Sequence, residues 1–340
     1  MNPPPAHSLK IWLPTIRTGT GSDIYTMRLA DGLAAAGHIP VVQFFDRKFE
    51  LAPWLLSRIA PPPDTNIVHA NSWNGYAFKR DGIPLVITEH HYIGDPAFHR
   101  FRSLGQSIYH RFHVLPGVHR SYAAADALTA VSLHTARAIQ SQQQREVRCI
   151  HNWLDTTIFK PDPEKTTSKT TLRCVFVGNP ARRKGNDVLP ALAELLSPGI
   201  QIHYLGGLRA DGGSGMKGQR LIPVPRHAPE NMPALYQQMD VALIPTRYEA
   251  FGYVALEAMA CGLPVAGFDS TGTAEICRNG ETALLTPVDD LPALAYSLDR
   301  LQQDPDLRMQ LGRNGREHVC ANFSSKSAIQ AYLDTYRRLL

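Results

Sequence analysis

The stretch Pro245 to Ala266, PTRYEAFGYVALEAMACGLPVA, decides how the chain is read. It continues an apolar run, VALIP from Val241 to Pro245, and leads into LPVAGF, so the pattern is strand, loop, helix, a stop at Gly262 and strand again. Two acids punctuate it. Glu249 lies in the loop before the helix, and Glu257 lies inside the helix on a face otherwise made of Val, Ala, Leu and Met. Their backbones would stand roughly 12 Å apart if the segment were helical throughout, long enough to straddle a diphosphate. An acid at each end could accept hydroxyls from a sugar and a ribose. The free amides of Phe251, Gly252, Tyr253 and Val254 at the helix start would then face the phosphates. Each acid alone has a plainer reading, as a polar residue at the rim of a core helix or a helix-start acid worth about 0.3 to 1 kcal/mol. The pair in a strand-loop-helix setting favours a site.

The same pattern repeats outward from this stretch. On its amino-terminal side LRCVFVG reads as a strand, NPARRKG as a loop and NDVLPALAELL as a helix; IQIHYLGG, a glycine-rich turn DGGSGMKGQ, LIPVP and PENMPALYQQM follow. Arg182, Arg183 and Lys184 fall directly after a strand, where ligands gather in open α/β sheets. Arginine forks and a lysine point charge there suit phosphate oxygens, against the alternative of a solvated basic loop.

Residues 160–171, KPDPEKTTSKTT, are polar and rich in Pro, Thr and Lys, and read as a linker. Before them a second α/β half begins with the apolar run Lys10 to Ile16, the loop RTGTGSD, an amphipathic helix and the strand IPVVQFF, a βαβ unit. Gly19 and Gly21 sit in the first loop, where glycine lets backbone amides approach a phosphate. Ile24 holds the place of the third glycine of a dinucleotide fingerprint, so a simple tight turn is nearly as good a reading. PLVITEHH puts His90 and His91 at a strand end, and alternation would let at most one of them enter the crevice. ALTAVS and VRCIHN complete this half.

A chain of 340 residues exceeds the usual single core, so two domains are expected. The division is 1–158, a linker at 159–171, 172–322, and a carboxyl-terminal helix at 323–340 whose apolar spacing needs a surface, expected on the first domain. The fold class is α/β, with two Rossmann-like doubly wound domains facing across a cleft. No run of 18 apolar residues is present, and the start MNPPPAHSLKIWLP lacks the form of a signal peptide, so a cytoplasmic protein is expected, with the inner face of the plasma membrane as an added location. The five cysteines are scattered without a CxxC, which speaks for reduced thiols and against zinc.

The net charge of +5 matters less than its distribution. Between Ala97 and Tyr122 stand Arg100, Arg102, Arg111 and Arg120, four histidines and no acid, interleaved with Phe98, Phe101, Tyr109 and Phe112. This mixture suits an anionic membrane or a phosphate-bearing acceptor. A solvated helix with a core-facing aromatic stripe weighs about equally. No nucleic-acid motif accompanies the charge, so nucleic acid is not an expected partner.

With these residues in place, the run YEAFGYVALEAMACGLPVAGFDSTGTAEICRNGETALL resembles the signature of retaining GT-B glycosyltransferases of sequence family four, the glycosyl transferases group 1, whose two glutamates are separated as Glu249 and Glu257 are. GTGSDIYTMRLADGLAAAGH, PLVITEH, ADALTAVS, IHNWLDTTIF and LYQQMDVALIPTRYE extend the likeness over most of the chain. The resemblance implies that Glu249 contacts the donor sugar, Glu257 the ribose and Lys184 the diphosphate, that His90 lies near the donor sugar, and that Gly19 and Gly21 close over the phosphates. Asn179 stands where the family commonly has arginine, so Arg182 or Arg183 would serve, and Pro225 replaces a frequent glycine near the base pocket.

The implied reaction transfers a sugar from a nucleotide sugar, UDP- or GDP-linked, to a saccharide or lipid-linked acceptor in surface polysaccharide or lipopolysaccharide assembly, with retention. Fixed cations and helix dipoles can stabilise the leaving diphosphate without a metal. The one DxD, Asp304 to Asp306, reads as a helix start, so no metal and no cofactor is expected. An oxidoreductase with two dinucleotide-binding halves and a non-catalytic binding protein are the competing classes.

Overall fold

The computed structural model describes residues 8–19, 21–164, 171–206 and 218–340. Thr20 of the glycine loop, 165–170 of the expected linker and most of the glycine-rich turn, at 207–217, lie outside the described residues. The chain divides into two compact units, Met1–Asn152 with Ser325–Leu340, and Trp153–Ser324. The stretch 153–158, expected with the first half, thus belongs to the second unit. Leu154 donates its amide to the Phe323 carbonyl at 3.4 Å. The Arg316 guanidinium holds the carbonyls of Phe159 and Thr156 at 2.6 and 2.9 Å.

In the first unit six parallel strands, β1 (Lys10–Ile16), β2 (Ile39–Phe45), β3 (Ile67–Asn71), β4 (Leu85–Glu89), β5 (Ala127–Ala130) and β6 (Arg148–Cys149), lie in the order β2-β1-β3-β4-β5-β6. The continuous apolar runs of β1 and β4 follow from burial of both faces of a parallel sheet. The carboxyl-terminal helix Ser325–Arg337 packs against the helix Gly21–Ala35, where a Cβ on Gly32 would collide with the Ile329 side chain. A side chain there would force Ile329 to move.

In the second unit β7 (Leu172–Gly178), β8 (Ile200–Gly206), β9 (Leu221–Pro223), β10 (Val241–Ile244), β11 (Val265–Phe268) and β12 (Ala283–Thr286) form a parallel sheet in the order β12-β11-β10-β7-β8-β9. This is the Rossmann strand order, whereas the first unit places only β2 beyond β1. In both sheets the winding reverses once, between β1 and β3 and between β7 and β10. Loops leaving the strands on either side of a reversal run in opposite directions and open a crevice between them. In the second unit those loops are 179–185 and 245–252, the two stretches singled out by charge in the sequence.

Candidate functional site

The two loops of the second unit are fastened to each other by backbone. Arg183 accepts from the amides of Arg247 at 2.8 Å and Tyr248 at 3.3 Å. Gly185, at φ +75°, sits so close under the Pro245 carbonyl that any Cβ would overlap it. Arg247, with a side chain only 8% exposed, clamps the join: it donates to the Arg182 carbonyl at 2.6 Å, to Asp187 at 2.7 Å and to Asp289 at 2.6 Å. Sequence reading missed this residue because its acids are 60 and 42 positions away.

On this frame the Lys184 ammonium forms an ion pair with the Glu249 carboxylate, both side chains largely enclosed. They line one small pocket with Phe176, Val177, Gly252 and Thr273. The three basic residues do not act as one charge. Lys184 is neutralised by Glu249, the Arg183 guanidinium leans 3.5 Å from the Tyr248 carbonyl, and Arg182 is exposed.

Glu249 is held at its backbone by the start of the helix Thr271–Ile276, where sequence reading assigned no residue a role. Its amide donates to Thr271 Oγ1 at 2.8 Å, and its carbonyl accepts from that hydroxyl and from the Gly272 amide, both at 2.9 Å. Thr271 adopts φ +32°, a conformation costly for a β-branched residue and here retained by those bonds. A Cβ on Gly272 would press on the backbone of Glu249 and Phe251. The signal available in sequence was STGT directly after a strand.

The expected 12 Å spacing of the glutamates does not apply, because the helix starts only at Tyr253 and runs to Ala260. Gly252 caps it at φ +104°, so the chain turns sharply between Phe251 and Val254 rather than entering the helix smoothly. Glu257 is partly buried in the helix and accepts from the enclosed Tyr236 hydroxyl at 3.0 Å. The DxD is a helix start as expected: the Asp304 carboxylate caps Pro305–Asn322 by accepting from the Leu307 amide.

In the first unit β4 ends at Glu89, before the histidines, so strand alternation does not govern them. Glu89 is buried and turns the chain by accepting from the Tyr122 hydroxyl at 2.6 Å and the His91 amide at 2.9 Å. The His91 ring lies against Phe98, at 4.5 Å. His90 lies edge-on to Tyr25 at 4.3 Å, and its Nε2 meets Asn71 Oδ1 at 3.0 Å. Asn71 ends β3, beside the winding reversal, which sequence reading did not single out. Burial pushes His90 down to about 4, so the ring is neutral near pH 7 and donates Nε2–H to Asn71. Beneath it, His69 is pushed down to about 3 by burial and then by His90. It bridges the Tyr336 hydroxyl and Thr88 Oγ1, each at 2.6 Å, tying the carboxyl-terminal helix to β3 and β4.

The glycine loop differs from expectation. Asp23 takes the Thr18 and Gly19 amides at 3.0 and 2.7 Å, so these donors are engaged by the chain itself. Gly19 needs its φ of +68°, while Gly21 has neither a positive φ nor a crowded Cβ position. The basic stretch also divides. Arg100 and Arg111 are exposed, but Arg102 is drawn in over the Phe98 ring at 5.7 Å and donates to the Ile93 carbonyl at 3.2 Å, a structural use of its charge. Among the described residues no helix is long and apolar enough to cross a membrane.

Residues 217–318 match the family described as Glycosyl transferases group 1, and residues 39–158 match Glycosyltransferase Family 4. A D-inositol 3-phosphate glycosyltransferase of Rhodococcus erythropolis is 26% identical over 314 residues, 80% of this chain and 68% of that protein. Among solved structures, sucrose-phosphate synthase from Thermosynechococcus elongatus superposes with a TM-score of 0.76 at 22% identity, covering 97% of this chain and 99% of that one. Anabaena Alr3699/HepE in complex with UDP-glucose gives 0.75 at 18% identity, covering 97% of this chain and 100% of that one. At these identities the solved structures show a shared two-domain GT-B fold.

Proposed function

Because the chain belongs to the glycosyl transferases group 1 family, we propose that it is a retaining, metal-independent glycosyltransferase that takes its sugar from a nucleoside diphosphate donor. The observation that carries this reading is the Lys184–Glu249 ion pair, set where the winding of the second sheet reverses and lining a pocket with Gly252. An entering diphosphate competes for the lysine and frees the Glu249 carboxylate to accept sugar hydroxyls. Lys184, with Arg182 or Arg183, then offsets the charge that grows on the leaving diphosphate, an electrostatic contribution that needs no metal. Amides at Phe251 to Val254 complete the cradle, Glu257 accepts from the ribose, and His90 offers a neutral imidazole to the donor sugar. Gly19 and Gly21 serve the phosphates once Asp23 releases their loop. The HepE structure holds UDP-glucose, which favours a uridine donor. A saccharide or lipid-linked acceptor in surface polysaccharide or lipopolysaccharide assembly is in keeping with one relative, the capsular polysaccharide biosynthesis glycosyltransferase CapM of Staphylococcus aureus, 38% identical over 93 residues, 27% of this chain and 24% of that protein.

A thermal-shift series with UDP, GDP, ADP and TDP tests the donor, the expected result being stabilisation by UDP or GDP that is abolished in Lys184→Met. Equal response of wild type and variant would sink the assignment. Transfer should survive chelation of divalent ions, and the anomeric proton coupling of the first-formed product should match that of the donor.

A further inference from the structure

We propose that the first unit carries a two-segment surface that seats on an anionic lipid bilayer, built from the basic stretch and from a loop after β2 that its sequence did not recommend. This deepens the lipid-linked acceptor reading and rests on it only for biological purpose. On one segment Leu104, Ile108 and Phe112 recur every fourth residue along Leu104–Tyr109 and the following π-turn His110–Val114, and are 86, 60 and 73% exposed. Such a row on one helical face has no neighbour among the described residues to bury it. On the other, residues 51–58 lead into and form the short helical turn Pro53–Arg58, whose inner side is nailed down. Leu56 is buried, and Arg80 donates to the Ile59 carbonyl at 2.5 Å. Its outer side is left with Leu51, Trp54 and Leu55, which are 65, 55 and 48% exposed.

Tertiary contacts bring the two segments together. His113 Nε2 lies 3.0 Å from the Glu50 carbonyl, next to Leu51, and the Tyr109 ring stacks on His113 at 5.2 Å. Exposed cations border it: Arg47, Lys48 and Arg58 on the loop, Arg100 and Arg111 on the helical segment. Lys48 lies over Phe49 and Arg111 over Phe112, so charge and apolar surface are presented together. Two acids answer these five cations, Asp46 and Glu50, and Glu50 pairs with Arg47 at 3.4 Å. That excess selects the occupant. A second copy docked through the same patch would bring cations onto cations. An anionic headgroup layer attracts them while the acyl boundary accepts tryptophan, phenylalanine and leucine, as in interfacial helices.

Sedimentation of the full chain with sucrose-loaded vesicles tests this, using phosphatidylcholine alone and with phosphatidylglycerol. Binding to the mixed vesicles should exceed binding to the neutral ones by at least tenfold and weaken with salt. Arg100→Ser and Arg111→Ser should each weaken it roughly fivefold, the effect of one cation near such a surface. Trp54→Ser with Leu55→Ser should weaken it by about the same factor as Leu104→Ser with Phe112→Ser. Without any substitution, brominated lipid should quench tryptophan emission, and Trp54→Phe should remove most of the quenching. No binding to the anionic vesicles, or binding indifferent to the Trp54 and Leu55 changes, would overturn the surface. So would concentration-dependent self-association through the patch. No donor is present in these measurements, so their failure leaves the transferase reading standing, and failure of the nucleotide series leaves the surface standing.

Discussion

The crevice loops of the second unit and the histidine pocket of the first meet the problem of buried polarity in opposite ways. The second unit keeps its charges and pairs them: Lys184 with Glu249, and Arg247 with Asp187 and Asp289. The first removes charge, leaving neutral His69 between the Tyr336 and Thr88 hydroxyls and neutral His90 on Asn71. A paired charge can be exchanged for a ligand's charge, whereas a neutral network gives fixed shape and directed hydrogen bonds. The difference supports the proposed exchange of the Lys184–Glu249 pair for a ligand's charge.

The contrast breaks most visibly at Lys184. Lys184→Met should lower transfer by a factor on the order of 100 to 1,000, the scale of losing one cation that stabilises the leaving group. It also leaves the Glu249 carboxylate without its ion-pair partner, which should cost about 1 to 3 kcal/mol of stability in the second unit. Adding Glu249→Gln should restore the melting temperature but not the activity. If the double variant melts as low as the single one, the pair is not what holds these loops, and the exchange of partners loses its basis.

The first unit should show its neutrality as acid sensitivity. His69 binds its proton near pH 6.5 when unfolded and only near 3 when folded, so the unfolded chain takes up the proton first. Its stabilising contribution is therefore complete above pH 6.5 and falls at roughly 1.4 kcal/mol per pH unit toward the folded value. His90, pushed down to about 4, adds a loss of the same sign over a narrower range. Hydrogen exchange of β3 and β4 amides between pH 7 and 4 should report this loss, with a shallower slope in His69→Gln. An unchanged slope would mean that another group sets the acid response of this unit.

The strands and the two-unit plan were legible because parallel, doubly covered strands read as unbroken apolar runs, as in LRCVFVG and PLVITE. Local charge after a strand singled out Lys184 and Glu249, which form an ion pair. What stayed hidden was whatever depends on contacts distant in sequence. Arg247 looks like any loop arginine until Asp187 and Asp289 close on it. Asn71 is an ordinary strand-end residue until the pairing of β3 with β4 brings it to His90. Arg102 reads the same as Arg100, yet one packs inward over Phe98. The span from Glu249 to Glu257 misled because periodicity does not reveal the positive φ of Gly252 that delays the helix.

The smallest expected effect probes how the pocket of the second unit differs from the His69 bridge of the first. Thr273 is fully buried at the pocket of Lys184 and Glu249, and its Oγ1 is buried with no hydrogen-bond partner among the described residues. Every hydroxyl described in the histidine pocket's bridge, on Thr88 and Tyr336, has a partner. An unsatisfied buried hydroxyl costs on the order of 1 kcal/mol or more, and valine keeps the branched shape without it. Thr273→Val should therefore raise the stability of the free protein by about 1 kcal/mol. If the hydroxyl serves the donor, the same change should weaken nucleotide-sugar binding several-fold, so the gain in melting temperature shrinks or reverses when donor is added. A gain of equal size with and without donor would mark the hydroxyl as a packing remnant. A loss in the free protein would show that Thr273 has a partner within the fold.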